Sequence, residues 1–419
     1  MKALTMKARG CGCALLALSA VISTGSSLAS DEHLVLPPLK TITTIASTVP
    51  GNGDLNPYGM AQVKRTTGNL RAGHILVSNF NNFQNLQGTG TTIVDVAPDG
   101  SMSLFAALTA GSLPGSCPGG VGLTTALVVL EQGWVIVGSL PTTDGTSATA
   151  QAGCLIVLDS MGNAVETFSG SLINRPWDMT AFDGEHEAKL FVTNVLNDTV
   201  AGNGQVVTEG TVTRLDLKVS TSAKPVLESI RVIASGFPER TDPAALVIGP
   251  TGVALRAHCA SDSDDCGEQG EDREGALLYV ADTLSNRIAV IDHPLGRTTS
   301  AGIGRTLSAG GSLNGPLGLI VTPGGELLTV NSADGFIRNQ PGRGAAHHGA
   351  ARQQRFTGRR RDAVRSGVRS RPRCVLRGRR NQHRQSAALR VTGSGGTAGP
   401  AGAARRSARL RPLPKTPGT

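Results

Sequence analysis

The chain has 419 residues, 54 of them glycine, only 3% aromatic, and a formal net charge of +9. That charge is misplaced: residues 341–419 carry 19 Arg and 1 Lys against one acid, Asp362, which leaves 20 basic and 30 acidic residues in 1–340, a net of −10. A body this acidic excludes a nucleic-acid-binding role, because phosphate contacts need clustered Lys and Arg. The glycine content and the lack of any long helical period exclude an all-α fold.

In chain order, the first 30 residues read as a signal peptide. Lys2, Lys7 and Arg9 form a basic stretch, Cys13 to Ile22 an apolar one, and Ser27-Leu28-Ala29 a cleavage site; an uncleaved anchor is the alternative. Nothing later approaches 18 apolar residues, so no transmembrane segment is expected after cleavage and a periplasmic or secreted location is.

From residue 31 to 340 short apolar runs alternate with turn residues, and the runs repeat. The clearest copy is Gly249-Pro250-Thr251-Gly252-Val253-Ala254-Leu255, then Leu277-Leu278-Tyr279-Val280-Ala281-Asp282, then Asn286-Arg287-Ile288-Ala289-Val290-Ile291. A second begins at Gly315-Pro316-Leu317-Gly318 and continues with Leu327-Leu328-Thr329-Val330-Asn331. Looser copies begin at Asn56-Pro57, Gly122-Leu123 and Arg175-Pro176. They end their second strands at Asn79, Gly138 and Asn194.

These residues resemble the NHL repeat, in which a Gly-Pro-x-Gly turn precedes an apolar strand, then a Tyr-Val-Ala-Asp-like strand, then Asn-x-Arg-Ile. Residues 249–291 match this pattern well; elsewhere Arg175 and Asp178 replace both glycines of the turn, and 122–127 lack the proline. The resemblance implies an all-β propeller. Five blades are legible near 56–115, 122–170, 175–235, 249–310 and 315–340, and six are intended, with Thr41 to Ala46 as a spare strand that would complete the last blade.

Residues 341–419 should carry that sixth blade but are Arg-rich and without strand pattern. They are either a disordered basic tail or, the favoured reading, an out-of-frame translation. Codons beginning with G become Arg codons when read one base early. Read one base later, 364–386 permit a Gly-Leu-Ala strand, a Tyr-Phe-Val-Asp strand and an Asn-x-Val strand, in the spacing of 249–291.

Cys259 and Cys266 are close enough in one polar loop to be expected as a disulfide; Cys117 and Cys154 are either a second bridge or two buried free thiols. The acidic loop 258–274 begins like a calcium-binding EF-hand, but Cys266 holds its fifth position and Arg273 stands where the bidentate Glu belongs. No nucleophile elbow, zinc-binding helix or phosphate loop is present, and no cofactor is called for.

Asn79, Asn194, Asp282 and Asn331 close the second strands of different blades, so ring symmetry would bring them toward one mouth of the channel. Oxygen-only donors there suit Ca²⁺; equally, Asn and Asp are the residues turns require. Two functions follow. The preferred expectation is a non-catalytic binding or scaffold propeller for a protein or glycan. The alternative is a calcium-dependent hydrolase similar to the six-bladed lactonases, with its site at the channel mouth.

Overall fold

The computed structural model describes residues 43–257, 275–323, 325–340 and 353–354. Residues 1–42, with the stretch expected to be a signal peptide, the Cys259–Cys266 pair and almost all of the Arg-rich tail lie outside the described residues. The described residues form a β-propeller of five blades with almost no helix.

Blade one comprises β1 (Leu55–Gln62), β2 (Ile75–Asn81), β3 (Thr92–Val96) and β4 (Met102–Ala107), each antiparallel to the next. Blade two is β5 (Leu123–Val129), β6 (Val135–Ser139), β7 (Cys154–Leu158) and β8 (Ala164–Phe168). Blade three is β9 (Pro176–Asp183), β10 (Glu187–Asn194), β11 (Val207–Lys218) and β12 (Val226–Asp242), to which a short fifth strand, β13 (Leu246–Ile248), is added. Blade four is β14 (Pro250–Arg256), β15 (Leu277–Asp282), β16 (Arg287–Asp292) and β17 (Arg305–Ala309). Blade five is β18 (Pro316–Val321), β19 (Leu327–Asn331), β20 (Ile337–Gln340) and β21 (Gln353–Gln354).

The core follows from the strand pattern. The middle strands of blades two and four are buried on both faces, β6 and β7 from end to end, so each sheet offers two apolar surfaces and needs a neighbour on each side. Leu76, Ile93, Leu127 and Ile156 join blade one to blade two. Ile136, Val157, Leu190 and Leu215 join blades two and three. Phe191, Phe237, Leu278 and Ile291 join three and four, and Tyr279, Val290, Leu319 and Leu327 join four and five.

The first strands pack consecutively, β1 on β5, β5 on β9, β9 on β14 and β14 on β18, and line the axis. This contact is close enough at Gly252 that an added Cβ would run into the Leu317 carbonyl oxygen. No packing of that extent joins β18 back to β1. On that side blade one covers Val77, Val94 and Val96 with Ile45 and Ala46 from the segment before β1.

Cys117 and Cys154 are disulfide-bonded, with Cα atoms 5.2 Å apart, which resolves the open choice for that pair. The bond ties the loop entering blade two to the start of its third strand.

Candidate active site at the channel mouth

Because β1, β5, β9, β14 and β18 all run the same way, their first residues meet at one end of the channel. The loops after the second strands end there too. At the opposite end a cavity of about 150 Å³ is lined by the last residues of the five first strands, mostly apolar, with Lys64 and Asp183 at its edge. Burial pushes the Asp183 carboxyl up to about 6, although its Oδ2 accepts the Glu131 backbone N–H at 2.9 Å.

The entry end is closed by an apolar cluster drawn from four blades: Tyr58, Phe80, Leu140, Trp177, Val195, Leu246, Val247 and Leu317. Tyr58 stacks on Phe80 with ring centroids 4.9 Å apart and meets Trp177 edge-on at 5.7 Å. Leu246 and Val247 arrive on β13, which folds back on β12 through the pairs Arg240–Ile248, Thr241–Val247 and Asp242–Leu246. Leu246 holds φ = +60°, a conformation costly for a residue with a side chain, yet it is only 1% exposed.

Two ionisable side chains of blade three lie buried at this end with polar atoms that have no hydrogen-bond partner among the described residues. Glu239, on β12, is fully buried, and neither of its carboxylate oxygens has a hydrogen-bond partner among the described residues. Its proton affinity reflects this. Burial, and then the charges of Glu209 and Asp198, push its carboxyl up to about 9, so it is protonated at neutral pH. Gly249, the first residue of the Gly-Pro turn of blade four, stands against it. A Cβ there would sit 2.7 Å from the Glu239 Cβ, so the turn accepts only glycine beside this carboxyl.

Arg175 occupies the matching position in blade three, where the repeat pattern has glycine. Its side chain reaches across to blade two, where Nη2 donates to the Pro141 carbonyl oxygen at 3.3 Å. Nε and Nη1 have no partner among the described residues, and the side chain is fully buried. Burial lowers its pKa to about 9, which leaves it cationic at neutral pH. Val195 stands between the two groups. Its backbone N–H donates to the Arg175 carbonyl, and its side chain lies 3.2 Å from where a Gly249 Cβ would be. Asp178, the other departure from the glycine pattern, accepts the Val253 N–H at 2.9 Å and so bonds blade three to blade four.

The four residues expected at the mouth are all buried; Asn194, Asp282 and Asn331 end their second strands, while Asn79 lies two residues before the end of β2. Each is bonded to its own blade or to the segment leading into it. The Asn79 amide donates to the Thr48 carbonyl and Thr92 Oγ1, that of Asn194 to the Leu172 carbonyl and Thr213 Oγ1, and that of Asn331 to the Ser312 carbonyl. Asp282 Oδ2 pairs with Arg287 at 2.9 Å. The remaining Oδ1 of all four is buried and unpartnered among the described residues. That donor chemistry suits a hard cation, but no hydrogen bond joins any two of the four side chains. Among the described residues no three acids, histidines or cysteines are gathered to ligate one ion.

Sequence reasoning missed Glu239 and under-read Arg175. The signal for Arg175 was its place in a glycine turn. Glu239 follows Phe237-Pro238 with nothing to mark its burial.

A comparison with protein families and with curated proteins finds no match. Among solved structures the chain is similar to several propellers. One is a virginiamycin B lyase from Staphylococcus aureus, at 13% identity over 76% of this chain and 74% of that one, with a TM-score of 0.38. A gluconolactonase from Xanthomonas campestris shares 14% identity over 70% and 75%, with a TM-score of 0.38. A PQQ-bound aldose sugar dehydrogenase from Streptomyces coelicolor shares 13% over 75% and 84%, at 0.40. The chain's own five sheets place it in the β-propeller class.

The expectation of a non-catalytic scaffold is corrected here. Each of these solved propellers is named as an enzyme. A mouth holding a buried carboxyl and a buried guanidinium, both with unpartnered atoms among the described residues, also carries polar groups that a packing role does not require.

Proposed function

We propose that this protein is a lactonase-like hydrolase whose site is the channel mouth and whose proton donor is Glu239. The observation that carries the proposal is a fully buried carboxyl with no partner on either oxygen and a pKa raised to about 9. Strongly perturbed acids of this kind concentrate at catalytic sites. A carboxyl held neutral at pH 7 is suited to give its proton to the departing oxygen of an ester or lactone. The charges of Glu209 and Asp198 help keep that proton in place, and the proton released by the attacking water goes to solvent, from which Glu239 regains its own. A ring ester opens when the acyl carbon–oxygen bond breaks. Water adds its oxygen to the acyl carbon, and the leaving oxygen takes the Glu239 proton.

Calcium is the metal this mouth would take, through the unpartnered Oδ1 atoms of Asn79, Asn194, Asp282 and Asn331. Each is committed to a separate blade, so no step is routed through the ion.

We further infer that the blades are of NHL type, supported by the Asp282–Arg287 pair that joins the ends of the motif's second and third strands. The protein would work outside the cytosol, an inference supported by the Cys117–Cys154 disulfide.

The test is hydrolysis of a panel of small lactones at constant pH, comparing wild type with Glu239→Gln. Loss of a general acid lowers the rate about 10²–10⁴-fold. No turnover of any lactone by the wild type would overturn the proposal.

A further inference from the structure

We propose that Arg175 is the anchor for an oxyanion, a carboxylate or phosphate group carried by the molecule that enters the channel mouth. This rests on the mouth being the place where the substrate sits, and it is independent of Glu239 acting as the acid. A guanidinium presents five N–H donors. Here one is used, on the Pro141 carbonyl, and Nε and Nη1 make no bond among the described residues.

Burying a cation without a counter-charge costs several kcal/mol in general, and a buried arginine is ordinarily paired or richly hydrogen-bonded. The acids at this end do not compensate it. Asp178 has its carboxylate turned to the Met179 and Val253 backbone amides. Glu239, on β12 of the same blade, makes no bond to it and is protonated at neutral pH.

The repeat gives the inference its second support. The same turn position in blades two, four and five is Gly122, Gly249 and Gly315, so the backbone there does not need arginine. At Arg175 the chain puts a long cation where its own pattern asks for no side chain. That side chain crosses the junction between blades two and three, beside Leu140 and Trp177 of the closing cluster. A planar donor fork with its edges unused matches the two coplanar oxygens of a carboxylate, or two oxygens of a phosphate.

The experiment is a thermal-shift titration of the full chain with acetate and with inorganic phosphate, against chloride at matched ionic strength. The proposal expects a saturable rise in Tm with at least one of the two oxyanions and none with chloride. The anion that saturates at lower concentration identifies the group. Arg175→Met should abolish the rise, and Arg175→Lys, which keeps the charge but not the fork, should weaken the apparent Kd at least tenfold. The titration reads anion binding and the lactone assay reads turnover, so a failed hydrolysis assay and a failed anchor are read separately. A flat wild-type titration, or a rise that survives in Arg175→Met, overturns the proposal. The wild-type arm does so even where a variant fails to fold.

Discussion

Replacing Glu239 by Gln should stabilise the protein at neutral pH while removing its activity. The carboxyl has an ordinary value of 4.5 and a folded value of about 9. A raised folded value means that the native state holds the proton more tightly than the unfolded chain does. The stability it contributes is therefore complete below pH 4.5 and is lost as pH climbs from 4.5 toward 9. At pH 7 the gap of 2.5 pH units corresponds to about 3 kcal/mol, and by pH 9 to about 6 kcal/mol. Glutamine keeps the shape of the protonated acid and cannot ionise, so the variant escapes this loss. Urea unfolding of both proteins at pH 4.5, 7 and 8.5 should show nearly equal stability at the first. The variant should be ahead by about 3 kcal/mol at the second and by more at the third. The Asp183 carboxyl, raised to about 6, adds its own slope between pH 4 and 6, but to both proteins alike. Equal stabilities across the range, or a wild type ahead at pH 7, would show that Glu239 is solvated or paired and would refute the reasoning.

Three further outcomes are expected. Breaking the Cys117–Cys154 bond by Cys117→Ser should destabilise the protein by about 4 kcal/mol, from the loop of 37 residues it closes, as measured by denaturant unfolding under non-reducing conditions. Calcium at a hundred times its Kd should add about 2.7 kcal/mol, visible as a saturable rise in Tm, and no shift at millimolar calcium retires the ion. Resequencing the gene around codons 336–363 should reveal a single-base insertion or deletion that restores a Gly-Leu-Ala strand and a Tyr-Phe-Val-Asp strand. A verified gene with a protease-resistant tail would contradict the frame-shift reading.

The architecture was legible because each blade repeats the same physical problem. A strand such as Leu277–Asp282, buried on both faces, must be covered on each side, and a ring of like units does this. The Gly-Pro turns marked where the first strands enter the channel, and the positions of Asn79, Asn194, Asp282 and Asn331 opposite the first-strand prolines followed from the same register. What their side chains do there was not legible, since an Asn at a strand end reads alike whether it faces an ion or braces its own blade. The mouth itself was hidden for a different reason. Glu239 belongs to the outermost long strand of blade three, and β13 returns from it toward the axis, an irregularity that no repeat pattern announces. Glu239 is packed against Gly210 of the neighbouring strand and Gly249 of the next blade's turn, contacts that the fold alone makes. Arg175 was visible as a break in the glycine pattern, but its lack of an ion-pair partner among the described residues is a property of the fold alone.

The central claim is that a neutral Glu239 donates a proton at the channel mouth. The measurement closest to it is the pH dependence of kcat/KM for lactone hydrolysis by the wild type and by Glu239→Gln. The wild-type profile should fall as pH passes about 9, where the donor ionises, and that limb should be absent from the residual activity of the variant. A wild-type rate that holds level through pH 9, or a limb that persists in Glu239→Gln, would place the acid elsewhere and contradict the account.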